Sequence, residues 1–166
     1  VECIAGPDAQ FWSRAPGLPE AAYEHDGNIT KREVRTITLA ALAPLPGETL
    51  WDVGAGSGAV GIEWMRIDTL NRTIAFEHDE AKCDVIKRNA KNLGVPMLKV
   101  LPGDFLGTLK EMDQTPDAIF IGGGVSYPNV LNSCWGRLNT NGRMVANGVT
   151  VEAHRALMEF HAEHGG

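Results

Sequence analysis

Seven of the nineteen glycines stand in two short segments, 54–61 and 122–124. The first segment belongs to WDVGAGSGAVG (51–61), between a short apolar run and a stretch with helical spacing. Glycines at such a junction let the backbone turn sharply and let a ligand lie against main-chain N–H groups at a helix N-terminus. The pattern predicts a ligand-binding loop. We expect its contacts to come from Gly54, Ala55, Gly56 and Gly58.

Two classes of ligand fit the glycine spacing. Gly56, Gly58 and Gly61 satisfy G-x-G-x-x-G, the pattern of dinucleotide sites, and this spacing alone does not separate NAD from adenosylmethionine. Asp52 precedes the loop and completes D-x-G-x-G-x-G. A carboxylate there can orient the loop and receive the ammonium of an amino-acid ligand, whereas a pyrophosphate site gains nothing from it. The acid therefore favours adenosylmethionine.

Two further acids follow later predicted strands. Glu77 closes the second strand, where a carboxylate can accept both hydroxyls of a ribose, and His78 beside it is expected to border the adenosine. Asp104 follows the third strand and is placed to accept from an adenine amino group, with Phe105 against the base. Alternatively, the acids only cap helices or end a strand, but helix capping does not require their order behind a glycine loop.

Short apolar runs alternate with longer amphipathic stretches along most of the chain. This alternation is typical of repeated β-α units, and strands that are apolar throughout indicate a sheet covered on both faces. We therefore predict an α/β, three-layer sandwich with a mostly parallel, Rossmann-like sheet. The strands are expected at 49–54, 73–78, 98–103, 117–122 and 143–148, and the helices from Thr30 to Pro44 and near 57–68, 80–93, 126–136 and 151–164.

The first 29 residues show no sustained periodicity and contain several prolines and glycines. We predict an irregular N-terminal arm over 1–29 and a folded domain over 30–166. The apolar residues Phe11, Trp12 and Tyr23 are expected to attach the arm to the domain.

Composition limits the possible classes of protein. With 166 residues, 43% of them apolar and 22% charged, the chain is long enough for one globular domain and too apolar for a disordered segment. Its net charge of −6 disfavours nucleic acid and anionic lipid as partners. Cys3, Cys83 and Cys134 form no metal-ligand pattern, so we expect no metal site and reduced thiols in a cytoplasmic protein. No membrane span or export signal is evident.

Four segments taken together resemble one family of class I adenosylmethionine-dependent methyltransferases. These are the cobalamin-pathway enzymes that methylate a precorrin at C15 and decarboxylate its C12 acetate, including the C-terminal half of the fused, C5,15-methylating members. The T-K-x-E-V-R and N-x-V-T-x-E strings are the specific parts, since the glycine loop is common to class I enzymes. The segments are DGNITKREVR (26–35), WDVGAGSGAVGIEW (51–64), PDAIFIGGG (116–124) and GRMVANGVTVE (142–152).

The resemblance implies adenosylmethionine as cofactor, a tetrapyrrole substrate and a homo-oligomer, expected to be a tetramer. It also implies that Gly27 and Thr30 line the cofactor pocket and that the chain is part of a longer polypeptide with a second methyltransferase domain. The class I sheet normally ends with a further pair of strands, which we expect to be missing here because the chain stops at Gly166.

Substrate contacts are expected beside the cofactor. A basic cluster in this acidic chain suits the carboxylates of a precorrin, and it consists of Lys31, Arg32 and Arg35. We expect Lys31 and Arg35 to contact the substrate. Three glycines after the fourth strand leave room for a flat ring, with Gly122 nearest the cofactor. The other expected substrate contacts are Gly123, Gly124, Tyr127 and Asn147.

No catalytic acid or base is predicted, because displacement at a sulfonium needs alignment more than proton transfer. Three alternatives stay open at this point. They are a small NAD-dependent oxidoreductase, a noncatalytic cofactor-binding subunit and a methyltransferase acting on another substrate.

Overall fold

A computed structural model describes residues 6 and 10–165 and contains a five-stranded, wholly parallel sheet. The strands lie in the order β3-β2-β1-β4-β5, with helices on both faces, which confirms the predicted three-layer α/β sandwich. The strands are β1 (Thr49–Val53), β2 (Arg72–Glu77), β3 (Lys99–Pro102), β4 (Ala118–Ile121) and β5 (Arg143–Ala146). The helices are α1 (Arg32–Leu42), α2 (Ala59–Ile67), α3 (Glu80–Asn92), α4 (Phe105–Leu109), α5 (Val130–Trp135) and α6 (Val151–His164), preceded by a 3₁₀ turn, Glu20–Ala22.

The central strand β1 buries side chains on both faces of the sheet, because successive side chains point to opposite sides. Leu50 packs in a core formed with α1, α2 and α3, whereas Trp51 packs in a second core formed with α4, α5 and α6. Trp51 is in register with Ile74 of β2 and Ile119 of β4. The sheet is therefore covered by one helical layer on each face.

The order of the strands reverses between β1 and β4. The chain moves from β1 outward to β2 and β3, then returns to the other side of β1 to form β4 and β5. Ligands of open α/β sheets bind beyond the carboxyl ends of the strands at such a reversal. The segments that follow β1 and β4 are the two glycine-rich segments, so the topology brings them together.

Two helices differ from the sequence prediction. The first begins at Arg32, not at Thr30, because the preceding residues are extended. Its capping acceptor comes from the arm, where the Glu20 carboxylate accepts from the Arg32 N–H at 2.8 Å. The short helix α4 was not predicted, and the Asp104 side chain caps it by accepting from the Gly107 N–H at 2.7 Å.

The arm packs on the domain through apolar residues. Leu18, Tyr23 and Ile29 belong to the core that α1, α2 and α3 form, and Trp12 packs against it. These contacts confirm the prediction for Trp12 and Tyr23. The prediction for Phe11 is wrong, since its side chain is 83% exposed.

A buried carboxylate on α2 fastens the arm. The Glu63 carboxylate accepts from the backbone N–H of Gly17 at 2.6 Å, from that of Leu18 at 3.1 Å and from the Tyr23 hydroxyl at 2.8 Å. The Arg35 guanidinium of α1 donates to the same carboxylate at 2.6 Å. Every oxygen of Glu63 is therefore occupied, which is the condition for burying a charge.

Cys83 and Cys134 are buried free thiols, and Cys3 lies outside the described residues. None of the helices among the described residues has the length and apolar character that a membrane crossing requires.

Replacing Glu63 by Ala should destabilise the fold strongly. The change leaves the buried Arg35 guanidinium without its counter-ion, and loss of one member of a buried pair typically costs about 3–5 kcal/mol. Urea denaturation gives the free energy of unfolding. The matched control is Glu159→Ala, which breaks the exposed pair between Arg155 and Glu159 and should change stability by less than about 1 kcal/mol. Equal losses in the two variants would contradict this account of the arm.

Candidate functional site

A cavity of about 960 Å³ opens at the carboxyl edge of the sheet. The arm, the glycine loop and the segments after β2, β3, β4 and β5 form its walls. The cavity is lined by most of the residues that were predicted to contact a ligand. These residues are Thr30, Lys31, Gly54, Ala55, Gly56, Glu77, His78, Asp104, Phe105, Gly122, Gly123, Gly124, Tyr127 and Asn147.

The glycine loop is shaped by a close approach of two backbones. Gly54 has a φ of 69°, and a Cβ atom there would lie 2.8 Å from the backbone of Gly123. Only glycine fits this position, because the contact is with main chain that cannot move aside. At the reversal of strand order, the loops after β1 and β4 are therefore in direct backbone contact.

Gly58 does not line the cavity, so the prediction that it contacts the ligand is corrected. It is the N-cap of α2 with a φ of 76°, and a Cβ atom there would lie 2.8 Å from the Ile86 side chain. A glycine is required at position 58 by the turn into α2 and by the packing of α2 on α3, not by a ligand.

Glu77 joins the glycine loop to the end of β2. Its buried carboxylate accepts from the Gly56 N–H at 2.8 Å and from the Asp79 N–H at 3.1 Å, and the His78 imidazole lies 3.1 Å away. Each carboxylate oxygen has two lone-pair directions, so Glu77 keeps the capacity to accept from a ligand hydroxyl. The carboxylate therefore shapes the loop and faces the cavity.

The structure confirms the capping alternative for Asp104, whereas its contact with an adenine amino group stays a prediction. Its exposed carboxylate caps α4 and also lines the cavity. The neighbouring Phe105 ring packs edge-on against Phe76, with centroids 4.9 Å apart. Because this contact fixes the ring, Phe105 offers a rigid apolar wall at the same place.

Asp52 lies below the loop and not in the cavity. The side chain is 1% exposed, and one oxygen accepts from the Gly61 N–H at 3.0 Å while the other has no partner. The prediction that it receives a ligand ammonium is therefore corrected, because α2 covers the carboxylate. Its bond to the first turn of α2 is the loop-orienting role that the sequence also suggested.

Burial raises the pKa of Asp52 to about 7. The Gly61 N–H opposes this increase by stabilising the carboxylate, whereas the nearby negative charge of Glu77 adds to it. A carboxyl group at this position keeps its proton well above the pH at which an exposed aspartate loses it.

Arg35 is also corrected as a substrate contact. Its side chain is fully buried and donates to Glu63 and to the backbone carbonyls of Thr30 and Leu18. The basic cluster predicted at 31–35 therefore separates, and Lys31 stays exposed at the cavity, where its Nζ lies 3.4 Å from the Gly27 carbonyl. No local pattern indicated that Glu63, in the next helix, would pair with Arg35.

Several exposed or half-exposed side chains at the cavity were not predicted, and Val34, Val149 and Lys82 are among them. Val34 of α1 and Val149, which is 93% exposed, are apolar, and Lys82 of α3 pairs with Asp26 at 3.5 Å. The Asn147 amide, which was predicted, donates to the Thr38 hydroxyl at 3.1 Å. Exposure of apolar side chains depends on tertiary packing, so their helical or loop spacing alone did not distinguish them.

A family model described as "Precorrin methyltransferase domain" matches residues 21–166. The chain belongs to this family. The precorrin-6Y C(5,15)-methyltransferase (decarboxylating) of Sinorhizobium sp is 46% identical over 166 residues, which are 100% of this chain and 40% of that protein. A protein of the same description from Mycobacterium tuberculosis (strain ATCC 25618 / H37Rv) is 43% identical over 92% of this chain and 38% of its own. The chain thus spans about 40% of the length of these relatives.

Solved structures agree with the family assignment. The C-terminal domain of precorrin-6Y C5,15-methyltransferase from Rhodobacter capsulatus superposes with a TM-score of 0.86 at 40% identity, covering 93% of this chain and 83% of that one. A SAM-dependent methyltransferase from Thiobacillus denitrificans, in complex with S-adenosyl-L-homocysteine, shares the fold with a TM-score of 0.62 at 24% identity, covering 73% and 51%. The precorrin methyltransferase domain therefore has the class I methyltransferase fold.

The stability of this precorrin methyltransferase domain should depend on pH through Asp52. The folded chain holds the Asp52 proton more tightly than the unfolded chain, whose pKa is near 3.8. The stabilisation is therefore complete below pH 3.8 and is lost as the pH rises through about 7. Asp52→Asn cannot ionise, so its free energy of unfolding minus that of the unaltered chain should rise by about 4 kcal/mol between pH 4 and pH 8.

Urea denaturation of both chains across this pH range measures the difference. A difference that stays constant from pH 4 to pH 8 would mean that the buried carboxyl does not change its protonation on folding.

Proposed function

We propose that this domain binds S-adenosyl-L-methionine and transfers its methyl group to C15 of a precorrin, with decarboxylation of the C12 acetate. The observation that carries the proposal is the cavity itself. In a chain of the precorrin methyltransferase family, it places a glycine loop and two carboxylates, Glu77 and Asp104, along one wall. The family assignment also favours methyl transfer over the NAD-dependent oxidoreductase that the glycine spacing left open.

The proposed cofactor fits the wall formed by β1, β2 and β3. The methionine part would lie along Gly54–Gly56, the ribose hydroxyls would bond to Glu77, and the adenine would lie between Asp104 and Phe105. Acceptors occur in the order that a sugar and then a base require.

The opposite wall suits a flat apolar ring with carboxylates at its periphery. Val34, Tyr127 and Val149 come from three different elements and expose apolar surface to the cavity, and Lys31 stands beside them. Exposed apolar side chains that converge at one mouth mark a binding surface. The ammonium of Lys31 can pair with a peripheral carboxylate.

When bound, the cofactor would supply a methyl group on a positively charged sulfur. The sulfur would keep the electron pair of the broken bond and become a neutral thioether. The residues of the domain therefore need to align the donor and the acceptor, and such alignment can contribute roughly 7–11 kcal/mol to lowering the barrier. The contact between Gly54 and Gly123 keeps both walls close together without side chains between them.

Decarboxylation breaks the bond between the acetate methylene and its carboxyl carbon. The electron pair enters the conjugated ring, carbon dioxide leaves, and a proton then completes the methyl group at C12. The ring itself accepts the electrons, so the protein is required only to hold the carboxylate. We assign this contact to Lys31, because Arg35, the other candidate from the sequence, is buried.

We also propose that the domain works in the cytoplasm, within a homotetramer, as one part of a polypeptide with a second methyltransferase domain. The relatives support the last point, since they are more than twice as long as this chain and their description includes two methylation positions.

The direct test incubates the domain with precorrin-6B and isotopically labelled S-adenosyl-L-methionine. Mass spectrometry should show a product with one labelled methyl group gained and one carbon dioxide lost. A product that gains the methyl group but keeps the carboxyl would disprove the decarboxylase half of the proposal. No labelled product, from a domain that binds the cofactor in titration calorimetry, would disprove the substrate assignment.

Lys31→Ala should raise the KM for the precorrin by about tenfold and leave cofactor affinity unchanged, because one charge-assisted hydrogen bond contributes roughly 1.5–3 kcal/mol. The control is Lys99→Ala, which removes an exposed lysine at the start of β3. The starts of the parallel strands lie at the sheet edge opposite to the cavity. A variant of Lys31 with weaker cofactor binding and an unchanged KM would move this side chain out of the substrate site.

A further inference from the structure

Two walls of the cavity come from distant parts of the sequence and carry few direct bonds to each other. The end of the arm and the two residues after it supply residues 27–31, and the glycine loop supplies residues 54–57. They approach closely, since a Cβ atom on Gly56 would lie 3.8 Å from the carbonyl oxygen of Asn28. The shape of the cavity therefore depends on whatever fixes the distance between arm and loop.

The side chain of Asn89, in the last turn of α3, bonds to both the arm and the glycine loop. Its amide oxygen accepts from the Glu24 N–H at 2.8 Å, and its amide nitrogen donates to the Glu24 carbonyl at 2.9 Å and to the Ser57 carbonyl at 3.0 Å. The side chain is 1% exposed. Both donors and the acceptor of one amide are therefore used on backbone groups of the arm and the loop.

These partners determine the orientation of the amide. The opposite orientation would place the amide nitrogen against the Glu24 N–H and the amide oxygen against two carbonyl oxygens, so three bonds would be lost. The neighbouring pair between Arg88 and Glu24 is half exposed on both sides, and exposed pairs contribute little. Asn89 is thus the buried side chain that connects arm, loop and helix α3.

We propose that Asn89 is a positioning residue that holds the arm and the glycine loop at the separation which cofactor binding requires. Its amide does not line the cavity. It acts through Glu24, which leads into the arm wall, and through Ser57, which lines the cavity together with Ala55 and Gly56. The affinity part of this proposal rests on the cofactor named in the proposed function, whereas the structural part does not.

Asn71 provides a matched control in the same chain. It is 0% exposed, its amide oxygen accepts from the Gly47 N–H at 2.9 Å, and its amide nitrogen donates to the Trp64 carbonyl at 3.3 Å. It precedes β2 and so lies at the edge of the sheet opposite to the cavity. Asn71 and Asn89 are therefore both buried amides that hydrogen-bond to backbone groups, and they lie at opposite edges of the sheet.

The experiment compares Asn89→Ala and Asn71→Ala in the 166-residue chain. Hydrogen exchange is followed in peptides that cover residues 24–31 and 54–58, and titration calorimetry gives the dissociation constant for S-adenosyl-L-homocysteine. Asn89→Ala should accelerate exchange about tenfold or more in both segments and raise the dissociation constant about tenfold. Asn71→Ala should lower the free energy of unfolding but leave both segments and the dissociation constant unchanged within about twofold.

Three outcomes would overturn the proposal: unchanged exchange in either segment of Asn89→Ala, an unchanged dissociation constant for it, or equal effects in both variants. If Asn89→Ala does not fold, Asn89→Ser replaces it, because a hydroxyl group can keep one of the three bonds. If the unaltered chain does not bind S-adenosyl-L-homocysteine, the proposed function fails, and the exchange data alone decide on Asn89.

Discussion

The buried pair between Arg35 and Glu63 is the interaction on which the cavity depends. Glu63 is charged and inaccessible to water, so it is tolerable only because the arm and α1 together occupy its oxygens. Arg35 in turn donates to the carbonyls of Thr30 and Leu18. The arm therefore has a fixed path across α2 and α1, and this path brings residues 27–31 to the cavity.

The second constraint is the reversal of strand order between β1 and β4. It creates an opening at the sheet edge, and the contact of Gly54 with Gly123 makes that opening narrow at its base. Glu77 then fixes the loop from the side of β2 through Gly56. Glu77 and Asp52 thus hold the backbone around the cavity through hydrogen bonds, and this support keeps the glycine loop in a fixed shape beside the cavity.

The motif around Asp52 was right about the position and the loop-orienting role of the acid and wrong about its contact with a ligand ammonium. The motif correctly placed an acid at the end of β1, under the loop that it orients. A buried carboxyl with a raised pKa and one unpaired oxygen is not a ligand for an ammonium group that would have to reach it through α2. The side chain contributes to the turn between β1 and α2 instead.

The strands, the parallel layers and the glycine loop could be predicted from the amino-acid sequence, because these follow from local periodicity and from the backbone freedom of glycine. It also located Glu77 and Asp104, since the carboxyl ends of parallel strands meet at one edge. Which polar side chains face the cavity depends instead on how the folded elements pack together. Lys31 is exposed and Arg35 is buried although they are one helical turn apart, and the difference lies in Glu63, which a distant part of the chain supplies. Burial and pairing of charges depend on neighbours that are remote in sequence, and so no local pattern could separate these two residues.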